Sequence, residues 1–61
     1  MSLKGIKAGD KLIDESIGVV AEIVECDQDF IPPKWARLRD VETGDTFMEP
    51  DLEMANWSKV E

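Results

Sequence analysis

"GVVAEIVEC", residues 18 to 26, is the stretch on which the fold turns. It strings β-branched residues behind a glycine, and such side chains suit a pleated, half-buried surface. Alternation sets Val19, Ala21 and Ile23 on one face of a strand and Val20, Glu22 and Val24 on the other. After Val24 the pattern stutters, because Glu25 falls on the apolar face. A β-bulge or a sharp bend there restores the order, and strongly curved small barrels use both.

Upstream, the turn Ala8-Gly9-Asp10 leads into a first short strand, Lys11 to Asp14. Downstream, "DQDFIPPK" reads as a loop, since Pro32 and Pro33 remove two backbone donors in succession and hold Ile31 away from helical geometry. "WARLRDV", Trp35 to Val41, then alternates Ala36, Leu38 and Asp40 against Trp35, Arg37, Arg39 and Val41. In "ETGDTFMEP", Gly44 can supply the left-handed residue of a three-residue hairpin loop, Glu42 to Gly44. That loop sets Val41 opposite Asp45, and hence Leu38 opposite Met48, Arg37 opposite Glu49 and Arg39 opposite Phe47. Leu38 with Met48 is then expected in the core and Arg37 with Glu49 as a surface ion pair. Pro50 stops the strand, Asp51 to Glu53 form a short turn or one turn of 3₁₀ helix, and a last strand lies around Met54 to Lys59. Trp57 is expected to close the core from that strand.

Five short strands in 61 residues predict an all-β domain, a partly open five-stranded barrel, because a flat sheet of this size would leave long edges and a bare face. One domain spanning 1–61 is expected, with residues 1–4 as a flexible lead. "AGDKLID", then Gly18 leading "GVVAEIVE", then a strand pair ending in "EPDLEMANW", resembles the SH3-like barrels of the KOW and Tudor type. The resemblance covers most of residues 5 to 60 and rests on shared turn residues, so it speaks to fold more than to function. The basic surface of KOW nucleic-acid binders has no counterpart here. Nor is the four-residue aromatic cage of methyl-lysine Tudor readers evident, with no Tyr and two each of Trp and Phe.

Seven basic against fourteen acidic residues leave a net charge of -7, which repels nucleic-acid phosphates and anionic membranes and favours a basic partner. A chain this short buries only about 60% of its unfolded surface, which leaves little interior for a catalytic cleft. There is no His, and Cys26 stands between Glu25 and Asp27, whose charges disfavour a thiolate. The carboxylate pairs lack the Gly and spaced Glu of a calcium loop, and zinc would have one Cys to use. No enzyme, metal or cofactor is expected. A lone Cys and the absence of a long apolar run point to a reducing cytoplasm and no membrane span.

The candidate partner-binding residues are Asp27, Asp29, Phe30, Trp35, Arg37, Arg39 and Phe47. In the expected register Trp35, Arg37, Arg39, Val41, Phe47 and Glu49 share the outer face, and Trp and Arg are enriched at binding hot spots. Set against this is recruitment of Trp35 or Phe47 into so small a core, with Arg stacked over it as cover. Phe30 and Ile31 pose the same choice, a lid over the open barrel end being preferred to display for a partner. Asp27 and Asp29 are expected to select a basic segment. The function expected is a non-enzymatic protein–protein interaction module or a small accessory subunit of a larger assembly, phage and mobile-element systems included. A homo-oligomer is a variant of it. The alternative is a nucleic-acid adaptor using Lys34, Arg37 and Arg39, or an acidic DNA mimic that blocks a DNA-binding protein.

Overall fold

The computed structural model describes residue 3 and residues 5–60; the expected flexible lead falls largely on Met1, Ser2 and Lys4, outside the described residues. Strand β2 (Val19–Cys26) is the centre of a single antiparallel sheet. On one side it pairs with β1 (Lys11–Asp14), Leu12 opposite Ala21. On the other it pairs with β3 (Ala36–Asp40), Ile23 opposite Leu38. Strand β4 (Thr46–Glu49) extends the sheet beyond β3, and β5 (Trp57–Lys59) lies beside β1, Trp57 opposite Asp14. The order is β4-β3-β2-β1-β5.

Alternation in the three inner strands delivers Leu12, Ala21, Ile23, Ala36 and Leu38 to one face, all at most 1% exposed. Ile6, Leu52 and Trp57 complete the core from outside those strands. The sheet curls around them into a partly open barrel. Its edges, β4 and β5, meet through side chains: the Phe47 and Trp57 rings stack with centroids 6.0 Å apart at 27°. The Trp57 Nε1–H donates to Glu49 Oε2 at 3.2 Å across the same seam.

The stutter after Val24 is a bulge. The β2–β3 register shifts between Ile23 and Glu25, so that Glu25 comes opposite Arg37 and Cys26 opposite Ala36. The extra residue returns Glu25 to the outer face, where its Oε1 lies 3.1 Å from Arg37 Nη1. The ion pair expected between Arg37 and Glu49 is therefore replaced by Arg37 with Glu25.

The β3–β4 hairpin also differs from the sequence expectation, by one residue. Its loop holds four residues, Val41 to Gly44, because Asp40 N–H donates to Asp45 O at 2.8 Å and Gly44 N–H to Asp40 O at 2.8 Å. The Asp40 carboxylate takes the N–H of Glu42 at 2.8 Å and of Thr43 at 3.3 Å, and Gly44 closes the loop at φ +81°, a region that favours glycine. Leu38 consequently faces Phe47, and Arg37 faces Met48. Cross-strand partners share a face, so Phe47 turns inward against the core and Met48 outward, 49% exposed. The β1–β2 turn repeats the device: Asp14 O accepts Gly18 N–H at 2.8 Å, Asp14 Oδ1 accepts Ser16 N–H at 3.0 Å, and Gly18 has φ +70°.

Candidate functional site: a stapled loop between two grooves

The loop from Asp27 to Trp35 joins β2 to β3, and Asp27 organises it. Its side chain is turned inward and the residue is only 7% exposed. Oδ1 accepts the Asp29 N–H at 2.9 Å, Oδ2 accepts the Lys34 N–H at 3.3 Å, and the Asp27 N–H donates to Trp35 O at 3.0 Å. A buried carboxylate that satisfies backbone donors at both ends of a loop holds it in one shape. The far side is tied by Leu52 N–H, which donates to Lys34 O at 2.9 Å. Pro33 is buried within the loop.

The tip of this fixed loop displays apolar side chains. Ile31 is 77% exposed and Phe30 51%, so neither is tucked over the barrel end as a lid. Pro33, rather than Phe30 or Ile31, is the apolar residue of the loop that is buried. Lys34 Nζ rests 4.4 Å from the centroid of the Phe30 ring, a cation–π contact that covers one ring face.

Phe30, Ile31 and Pro33 form a wall shared by two open grooves. The first, about 460 Å³, runs between that wall and the turn Leu52 to Ala55, with Trp57 and Leu3 completing it. The second, about 490 Å³, lies between the wall and residues 5–8, with Val24 and Cys26 on its side. The charges along the second groove are already engaged: Lys7 with Asp10 at 3.8 Å, Glu25 with Arg37, and Asp27 within the loop. In the first groove, Lys34 is occupied by Phe30, and Glu53 is exposed with no ion pair among the described residues.

The seven residues singled out from sequence thus fall into three places. Asp29 and Phe30 are exposed on the loop, beside the grooves. Arg37 and Arg39 are on the outer face of the sheet, each opposite a glutamate, Glu25 and Glu22 respectively. Trp35 is partly buried just before them and does not join the core cluster. Asp27 and Phe47 both point inward, the first into its loop and the second against Leu38 and Trp57. Outer-face sharing by Phe47 with Arg37 and Arg39 does not occur, since the longer hairpin loop flips its register. For Ile31 the less favoured of the two sequence readings, display rather than a lid, is what the structure shows, and the 52–55 turn as the facing wall was missed from sequence.

Cys26 is free and partly buried. Burial first, and then the charges of Asp27 and Asp10, push its thiol above the ordinary value, which keeps it a poor nucleophile at neutral pH. Among the described residues no group of three or more His, Cys, Asp or Glu side chains is placed to hold a metal ion, and no helix is long and apolar enough to cross a membrane. The chain matches no family model, and no curated protein or solved structure matches it.

Proposed function

We propose that the chain is a non-enzymatic protein–protein interaction module, a small barrel of the SH3-like kind, whose partner surface is the Phe30–Ile31 ridge with its two flanking grooves. The observation that carries this reading is the combination of an exposed apolar tip and a loop that is held rigid from inside by Asp27. Leaving Phe30 and Ile31 in water gains nothing for a domain with so small a core, and a pre-ordered loop loses little entropy on binding. The strand order β4-β3-β2-β1-β5 with a turn before the last strand supports the SH3-like comparison. Membership in a larger assembly, as an accessory subunit, fits a module that offers a displayed apolar surface.

The nucleic-acid adaptor is the weaker reading on these observations. It would rely on Lys34, Arg37 and Arg39, and each of the three already has a neighbour, the Phe30 ring, Glu25 and Glu22. Affinity capture from the native cell tests the proposal, with wild type compared against Ile31→Asp. A protein retained by wild type and lost with the variant supports it; equal capture by both, or capture of nucleic acid alone, overturns it.

A further inference from the structure

We infer that the barrel opens at the seam between β4 and β5, with residues 53–60 leaving β1 as one unit and Trp57 as its latch, so that the groove facing the 52–55 turn is complete only while the latch is closed. Every other pair of neighbouring strands is joined by a backbone ladder, β1 with β2, β2 with β3, β3 with β4 and β5 with β1. Between β4 and β5, the two ends of the strand order, no ladder runs among the described residues. Two side-chain contacts of Trp57 hold the seam instead, the stack on Phe47 and the Nε1–H bond to Glu49. The exposed pair of Lys59 Nζ with Asp10 Oδ2, 3.9 Å apart, adds little to this hold.

The moving unit has a defined start. Leu52 is fully buried and its N–H is tied to Lys34 O, so it stays with the body of the domain. Beyond it Glu53, Met54 and Asn56 are exposed and supply the hinge. Strand β5 itself is three residues long and is bonded to β1 alone. When it leaves, Leu12, Ala21, Ile23, Ala36 and Leu38 remain packed on β1, β2 and β3, whose ladders are untouched. Opening thus uncovers one large core side chain and keeps the rest, which is the condition for local rather than global unfolding. The consequence falls on the groove. One wall is the loop fixed by Asp27, whereas Glu53, Ala55 and Trp57 in the other wall belong to the moving unit. An occupant that touches both walls binds the closed form and holds the latch shut. That consequence rests on the interaction-module reading; the opening does not.

The test is native-state hydrogen exchange of the whole chain by NMR, in urea concentrations below the unfolding transition and with no partner present. Two protons report the seam: the Trp57 Nε1–H on Glu49 and the Val60 N–H, which donates to Lys11 O at 2.9 Å. The Ile23 N–H, which donates to Asp10 O at 2.8 Å, reports the body. Corrected for intrinsic rates, the two seam protons should exchange faster than Ile23 by on the order of 10-fold or more, with one shared opening free energy. Their exchange should depend less steeply on urea, because the opening exposes less surface than unfolding does. Glu49→Ala should speed both by on the order of 10-fold, although Glu49 is bonded to Trp57 and not to Val60. Glu49→Gln, which keeps an acceptor, should have a smaller effect. A free energy and urea slope shared by all three protons overturns the inference, because the barrel then opens only by unfolding. So does a Glu49→Ala chain in which the indole proton speeds up and Val60 does not, because the strand then does not move as a unit. If the seam opens as described while capture from cells is indifferent to Ile31→Asp, the latch stands and the interaction surface falls.

Discussion

Replacing Phe47 and Met48 in turn by alanine separates the two possible hairpin registers. In the structure Phe47 pairs with Leu38 on the core side and stacks on Trp57, whereas Met48 points outward with about half its surface exposed. Fully buried Phe→Ala changes cost about 3–5 kcal/mol. Phe47 is only partly buried, so a loss of about 2–3 kcal/mol is expected, roughly 0.5–1.5 of it from the aromatic pair. Met48→Ala should cost about 0.5 kcal/mol or less, the ordinary range for a surface position. For a 61-residue chain total stability is on the order of 3–9 kcal/mol, so the first change removes a large share of it. At about 4–8 °C per kcal/mol for a domain of this size, Phe47→Ala should lower Tm by roughly 8–24 °C and Met48→Ala by no more than about 4 °C. Thermal unfolding followed by far-UV circular dichroism reads both. The near-UV signal of Trp57 should also weaken in Phe47→Ala and persist in Met48→Ala. A larger loss from Met48→Ala than from Phe47→Ala would refute the four-residue loop and restore the register with Leu38 facing Met48.

Two further outcomes follow from single side chains. Asp27→Ala leaves the N–H groups of Asp29 and Lys34 without their acceptor, which should cost about 1–3 kcal/mol in urea unfolding. Amide exchange at those two positions should accelerate, and unchanged exchange would show that the loop is held by something else. Cys26 has a raised thiol pKa from burial and from Asp27 and Asp10, so the folded chain keeps the neutral thiol to higher pH than the unfolded chain does. The stability this contributes is complete below the ordinary thiol value of 9.0 and is lost as pH rises through the folded pKa. Urea midpoints should therefore fall above about pH 9, and Cys26→Ala should flatten that fall; parallel curves for the two chains would contradict the assignment.

The strands were legible because their signals are local. β-branched alternation marks β2, the Gly9–Asp10 turn marks the start of β1, and the misplaced Glu25 marks the bulge, which the register shift after Ile23 matches. Trp57 closes the core as its place in the last strand suggests. The hairpin register was not legible from Gly44 alone, since a left-handed glycine closes loops of three residues or of four. A signal was present nonetheless. "DESIG" at 14–18 and "DVETG" at 40–44 share an Asp four residues before a Gly, and in both turns the Asp carbonyl accepts the glycine N–H while its carboxylate caps the residues between. That spacing fixes a four-residue loop, and with it the inward turn of Phe47. The fate of the Asp27–Trp35 loop was less accessible for a different reason. Whether Ile31 covers the barrel or leaves it depends on Asp27 folding back onto Lys34, a contact seven residues apart that no period in the sequence announces.

The most direct check on the central claim, that the loop holds apolar residues out for a partner, is the thermal midpoint of Ile31→Asp. At 77% exposure this residue behaves as surface, so the change in stability should stay within about 0.5 kcal/mol, or roughly 2–4 °C in Tm. A fall of about 8 °C or more would mean that Ile31 is packed as a lid, and that the displayed ridge does not exist in solution.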